Sequence, residues 1–143
     1  MKDSAASICY TAIEMIDEHD KIIKKKRKIK ERCDYNYLLH NTVMATSSVV
    51  ADRAVTGDFK MSLRRGGQDY ATWLRLLRNG SFAQGINEAL VQYRITSNSL
   101  SSNKFKSIKQ VWEIQRSDEG INAITAAFNV LCFSFNAFKK YLF

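Results

Sequence analysis

The sequence predicts an α/β chain: a mixed run of strands around one central amphipathic helix, followed by a helical C-terminus. Three features carry that reading. Residues Ser7 to Met15 mix β-branched and aromatic types. The segment from Gln68 to Arg78 repeats apolar residues at helical spacing. The stretch from Ile121 to Phe138 runs 18 residues without a charge.

Each element has a local cause. Asp17-Glu18-His19-Asp20 supplies turn chemistry between Ser7–Met15 and Lys21-Ile22-Ile23, which together read as a hairpin. Cys33 to Leu39 reads as a short helix or turn with Asp34 as N-cap. Asn41 to Val50 is β-rich enough for a buried strand, after which Asp52 caps one helical turn over Arg53 to Thr56 that Gly57 ends. In Gln68 to Arg78, Tyr70, Trp73, Leu74 and Leu77 fall on one face, Arg75 and Arg78 on the other, and Asn79-Gly80 is the stop. A strand is expected at about Ala89 to Ile95, then a Ser/Asn-rich loop from Thr96 to Asn103. A helix from Lys104 to Arg116 follows, with Phe105, Ile108, Val111 and Trp112 on its apolar side, and a second from Ile121 to Tyr141.

At 143 residues, 45% hydrophobic and 25% charged, the chain is one domain's worth and can bury a core. Wholesale disorder and a disulfide-dense class are excluded. Cys9, Cys33 and Cys132 are odd in number and lack C-x-x-C spacing, which favours reduced thiols over a disulfide frame or a zinc site. No repeat and no Pro- or Gly-rich linker marks a second domain.

Residues 21–32 (KIIKKKRKIKER) carry +7 of the net +8, so the basicity is one local run. Its simplest role is a solvated strand edge whose lysines block edge-to-edge pairing; an anionic membrane surface is the other partner it suits. No aromatic residue interrupts it, as a base-stacking groove requires, and nucleic acid is not expected as a partner. Ala5 to Ile13 lacks a cleavage site, so no signal peptide is expected. Asn122, Asn129, Ser134 and Asn136 lower the hydrophobicity of the uncharged C-terminal run, which reads as a docking or interfacial helix rather than a span.

P-loop, dinucleotide, zincin and hydrolase-elbow motifs are absent. His19 and His40 are isolated and read as a turn and a helix-end histidine, not metal ligands. The junction Arg64-Arg65-Gly66-Gly67-Gln68-Asp69-Tyr70 stands apart. Its glycines deliver Asp69 to the first turn of a helix, where free N–H groups and the dipole favour the carboxylate. Two roles fit that position: an N-cap, or a base that takes a proton from an attacking sugar hydroxyl.

The run GGQDYATWLRLLRNG, with QYRITSNSLSSNK after it and ICYTAIEMID and NTVMATSSVVADR before it, resembles the second half of a family 2 glycosyltransferase. These are the bacterial enzymes that add sugars to surface polysaccharides. The resemblance runs from Ser7 to the C-terminus. It implies a partial GT-A-like nucleotide-sugar transferase fold, a mixed sheet plus central helix with the N-terminal nucleotide-binding half missing. Residues 1–100 are then the acceptor-side part of the domain and residues 101–143 a helical extension.

For the site, the resemblance implies Asp69 as catalytic base of an inverting transfer, with Gln68, Tyr70, Trp73 and Arg94 as substrate-binding residues. Trp73 would wall the acceptor site, and Arg94 would pair with phosphate or act as an ordinary strand-end arginine. The family holds its nucleotide diphosphate and a divalent Mg or Mn at a D-x-D motif. Asp17 and Asp20, separated by two residues in a turn, do not replace it, so no metal or cofactor is expected on this chain alone. Tyr93-Arg94-Ile95-Thr96 also departs from the Tyr-Arg-x-His of many relatives, a hydroxyl replacing an imidazole.

The expected partners are a nucleotide sugar and a glycan acceptor if the chain is complemented, an anionic membrane surface, and a second copy through sheet edges left open. The expected place is the cytoplasm, peripheral on the inner face of the bacterial membrane, with little activity of the chain alone. The competing class is a small basic membrane-surface or protein-interaction module without catalysis.

Overall fold

The computed structural model describes residues 6–24, 29–96 and 104–142. A five-stranded sheet runs in the order β2-β1-β5-β3, with β4 on the free edge of β1. Its spine is β1 (Ile8–Ile16) lying parallel to the long β5 (Phe82–Arg94). Ile8, Tyr10, Ala12 and Ile16 are buried while the side chains between them are partly exposed, the period of two that a half-buried strand imposes. Register between β1 and β5 shifts on either side of Ala12, where β5 carries extra residues and bulges.

β2 (Ile22–Lys24) returns antiparallel to β1 as the predicted hairpin. Its turn is built by Asp17, whose carboxylate accepts the His19 and Lys21 N–H groups, each at 2.9 Å. β3 (Arg32–Asp34) pairs with the start of β5, and the Gly85 N–H donates to the Glu31 carbonyl. α1 (Tyr35–Leu39) begins at Asp34, whose carboxylate accepts the Tyr37 N–H at 2.8 Å. β4 (Val49–Ala51) leads to α2 (Arg53–Thr56), capped by Asp52 and closed by Gly57 at φ +67°.

α3 (Gln68–Leu77) supplies the centre of the core. Tyr70, Ala71, Trp73, Leu74 and Leu77 are buried and pack with Ile8, Tyr10, Cys33, Leu38 and Ala83. α4 (Lys104–Glu113) and α5 (Ala123–Leu142) close over it with Val111 and Phe133, and the turn after α4 adds Ile114. Cys9, Cys33 and Cys132 are free, and burial pushes the Cys33 thiol up to about 12, which removes it as a nucleophile.

The structure corrects the expected strand at Asn41 to Val50. Only Val49–Ala51 is strand, and a 3₁₀ turn covers Thr46–Ser48. Polar side chains there bond to backbone in place of a ladder: the Asn41 amide donates to the Tyr37 carbonyl and the Ser48 hydroxyl to the Ala45 carbonyl. β5 begins at Phe82, seven residues before the expected Ala89, because Phe82 to Gln84 pair with β3.

The helix expected to reach Arg116 stays α-helical to Glu113 and widens into a π turn over Ile114–Asp118. Of its expected apolar face, Val111 is buried, whereas Phe105 is 87% exposed; the wider turn sends Ile114 and Gln115 into the core instead. From Ser97 to Asn103 the Ser/Asn-rich loop lies outside the described residues, as do Lys25 to Lys28 of the basic run. Among the described residues no helix is long and apolar enough to cross a membrane. The whole is a mixed α/β fold with a central sheet and C-terminal helices, consistent with a partial GT-A-like architecture.

Candidate active site

Gly67 stands at the N-cap of α3 in the left-handed conformation, φ +67°, with no side chain to cap the helix. A Cβ there would come within 2.8 Å of Ile114 Cδ1, so the turn needs glycine for both conformation and space. The cap position therefore belongs to Gly67, not to Asp69. Asp69 sits one step inside the first turn, where one carboxylate oxygen accepts the Tyr70 N–H at 2.8 Å and the other accepts the Thr46 hydroxyl at 3.3 Å. The helix dipole favours negative charge at this point.

Asp69 is half-buried and lines a cavity of about 480 Å³, within the range of small-molecule sites. Arg65, Gly66, Gly67 and Gln68 form the same rim. The opposite wall comes from α4, with Lys106 and Gln110, and the inner wall from Tyr70, Ile114 and Phe133. A carboxylate, a hydroxyl and cationic side chains thus meet around an apolar floor. That arrangement can bind a polar, partly anionic ligand and take a proton from it.

The predicted site residues separate into three places. Gln68 is exposed at the rim beside Asp69. Tyr70 reaches the inner wall, but its hydroxyl is sealed in the core, donating to the Leu39 carbonyl and accepting from the Gln115 amide at 3.1 Å. Burial pushes its phenol above the ordinary value, so it is a neutral structural group. Trp73 is 5% exposed, stands edge-on to Phe59 and does not line this cavity. Arg94 lies at the end of β5, where it donates to the Asp17 carbonyl at 2.9 Å and the Asp20 carboxylate at 2.6 Å. Its guanidinium pins the hairpin turn.

Thr46, Lys106 and Gln110 line the cavity without having been singled out from sequence. Thr46 and Lys106 are 23 and 37 residues from Asp69 along the chain, and no local motif joins them.

Behind the cavity runs a buried amide chain. The Leu39 carbonyl is only an acceptor, which fixes the Gln115 Nε2 as its donor at 2.9 Å. Gln115 Oε1 then accepts from Asn129 Nδ2 at 3.0 Å, and Asn129 Oδ1 accepts from His40 Nε2 at 2.8 Å, so His40 carries its proton on Nε2. Asn136 Nδ2 donates to the His40 carbonyl. These bonds fasten α5 to α1 and α3.

Over 142 residues, 99% of its own length, the chain is 34% identical to TuaG of Bacillus subtilis, assigned as a teichuronic acid biosynthesis glycosyltransferase. The chain is a distant homologue of family 2 glycosyltransferases. It is also 31% identical over 110 and 111 residues to WfgD and WfaP of Escherichia coli. Both are UDP-Glc:alpha-D-GlcNAc-diphosphoundecaprenol beta-1,3-glucosyltransferases. Those two matches cover 76% and 77% of this homologue. The matched stretches make up 56%, 42% and 43% of the three relatives, so the chain spans about half the length of the curated relatives it matches. No family model matches it.

Proposed function

We propose that these residues form the acceptor side of an inverting family 2 glycosyltransferase of GT-A fold, which moves a sugar from a nucleotide-sugar donor to a lipid-linked glycan. The observation that carries this reading is Asp69, half-buried in the lining of a cavity, with the Thr46 hydroxyl donating to one of its oxygens. Asp69 takes the proton of an acceptor hydroxyl as that oxygen bonds to the anomeric carbon of the donor. The bond from that carbon to the nucleoside diphosphate breaks in the same step, and the diphosphate leaves with the electron pair.

Gln68 meets the acceptor at the rim, Tyr70 closes the inner wall, and Trp73 supports α3 from the core. Arg94 holds the hairpin turn and does not line the cavity. A lipid-linked acceptor places the work at the inner face of the membrane.

Family 2 chemistry includes a divalent metal that stabilises the departing diphosphate. The described residues do not fit one. Among the described residues no group of three or more His, Cys, Asp or Glu side chains can hold a metal ion. Asp17 and Asp20 are spent on the turn and on Arg94. We assign the metal and donor diphosphate to residues outside this sequence.

The test is a chimera in which this chain replaces the matched stretch of TuaG. It should transfer sugar, and Asp69→Asn should lower turnover by about 10²–10⁴-fold with acceptor KM little changed. Full turnover in the Asn chimera would remove Asp69 as base. Turnover of UDP-glucose by the 143-residue chain alone would overturn the assignment of the donor site elsewhere.

A further inference from the structure

Two cavities adjoin along the loop before α3. The one that Asp69 lines, of about 480 Å³, and a second of about 190 Å³ share Arg65, Gly66, Lys106 and Gln110. Arg65 comes to that boundary from the loop and Lys106 from α4. A Cβ on Gly66 would collide with the Gln110 amide, so that amide rests directly on the glycine backbone. The other six arginines from Arg53 to Arg116 each donate to a protein oxygen. Among the described residues Arg65 donates to none, and neither does the Gln110 amide. Glu113, on the wall of the smaller cavity, is matched by Arg64 and Lys109. The charged groups that line the larger cavity are then two cations, Arg65 and Lys106, and one carboxylate, Asp69.

We propose that Arg65, Lys106 and the Gln110 amide bind a phosphate of the acceptor, the group through which the acceptor sugar is joined to its lipid. This subsite rests on the reading of Asp69 as base and names the group held beside it. Phosphate suits the three donors better than a sugar carboxylate does. A carboxylate is satisfied by one arginine fork from one side, whereas phosphate presents oxygens in several directions and accepts from a guanidinium, an ammonium and an amide together.

The acceptor's phosphate suits the place better than the donor's. In an inverting transfer the leaving diphosphate departs from the face of the sugar opposite the attacking hydroxyl. Arg65 lies four residues before Asp69 and lines the same cavity, which puts its charge on the side of attack. A sugar joined to lipid by its anomeric phosphate carries that charge on the ring whose hydroxyl attacks. Cations beside the base offset the repulsion between that phosphate and the carboxylate.

The experiment titrates the isotope-labelled 143-residue chain with glucose 1-phosphate and follows its backbone amides by NMR. Glucose, glucuronic acid and UDP are titrated in parallel. Glucose 1-phosphate should shift the Gly66, Gly67, Asp69 and Gln110 amides and bind at least about tenfold more tightly than glucose or glucuronic acid. Arg65→Gln and Lys106→Gln should each weaken it about tenfold and leave the rest of the spectrum in place, since both side chains are exposed. Arg65→Lys, which keeps the charge and loses the fork, should fall between. Lys21→Gln, which removes an exposed charge from the basic run, should change nothing.

No shift at these amides overturns the proposal. So do equal affinities of wild type, Arg65→Gln and Lys106→Gln, shifts confined to residues 21–32, or tighter binding of glucuronic acid or UDP at the same amides. No sugar is transferred in the titration, so its failure leaves the role of Asp69 intact. Full turnover of the Asp69→Asn chimera would remove the base and leave the phosphate contacts standing.

Discussion

Arg78, the residue that ends α3, grips the Glu119 carboxylate with two hydrogen bonds of 3.0 and 2.9 Å, while the Tyr35 hydroxyl donates to the same carboxylate at 2.9 Å. The Glu119 side chain is 1% exposed and that of Arg78 46%. Burial, with the Glu119 hydrogen bond second, pushes the Tyr35 phenol up to about 12. Arg78→Met leaves a buried carboxylate with the Tyr35 hydroxyl but without its cation. Breaking a fully buried pair costs about 3–5 kcal/mol, and the exposed half of this one reduces that to about 2 kcal/mol. Urea unfolding of the variant measures it.

A second arginine sets an acid dependence. Arg64 donates to both oxygens of Asp118 at 2.7 and 2.9 Å, and chiefly through those bonds holds the Asp118 carboxyl below its usual 3.8. A carboxyl more acidic in the folded chain than in the unfolded one stabilises the fold fully above the unfolded value and loses that effect as pH falls through the folded value. The stability gap between wild type and Asp118→Asn should therefore be constant near neutral pH and close below about pH 4. Urea midpoints measured from pH 7 to pH 2 check the direction; a gap that widens on acidification would be the wrong sign.

Glycines give a contrast of mechanism. A Cβ at Gly85 would meet the Lys30 carbonyl oxygen at 2.2 Å, where backbone must give way, whereas at Gly80, φ +83°, it meets nothing within 4 Å. Gly85→Ala should cost about 2–3 kcal/mol by forcing the chain before β3 away from β5. Gly80→Ala should cost about 1 kcal/mol from backbone conformation alone. Equal costs would show that contact with Lys30 is not what excludes a side chain at Gly85.

The amide chain behind the cavity should behave as a unit. Gln115→Leu leaves Asn129 Nδ2 without its partner and is expected to cost about 2–3 kcal/mol. Asn129→Leu removes the other end. The double variant should be less destabilised than the two singles added together, by more than about 0.5 kcal/mol. Strict additivity in denaturant unfolding would mean that the two amides do not act together.

Elements with a local cause were legible in the residues. Asp34 and Asp52 announce their helices because a short acidic side chain reaches free N–H groups from the cap. The buried face of α3 follows from its apolar spacing, and the glycine pair before it locates Asp69. Asn41 to Ser48, within the strand expected over Asn41 to Val50, misled because β-branched composition cannot report that Asn41 and Ser48 bond to backbone.

The cavity, the course of β5 and the outward face of α5 were decided by tertiary packing. Thr46, Lys106 and Gln110 reach Asp69 from distant parts of the chain. Phe82 to Gln84 become strand because β3 pairs with them. In α5 both faces are apolar in sequence, so periodicity assigns neither to the core; the side that finds Gln115, His40 and Tyr70 turns inward. Local propensity acts over a few residues of chain, whereas a site is made by distant residues whose meeting is set by which buried surfaces and hydrogen bonds are satisfied together.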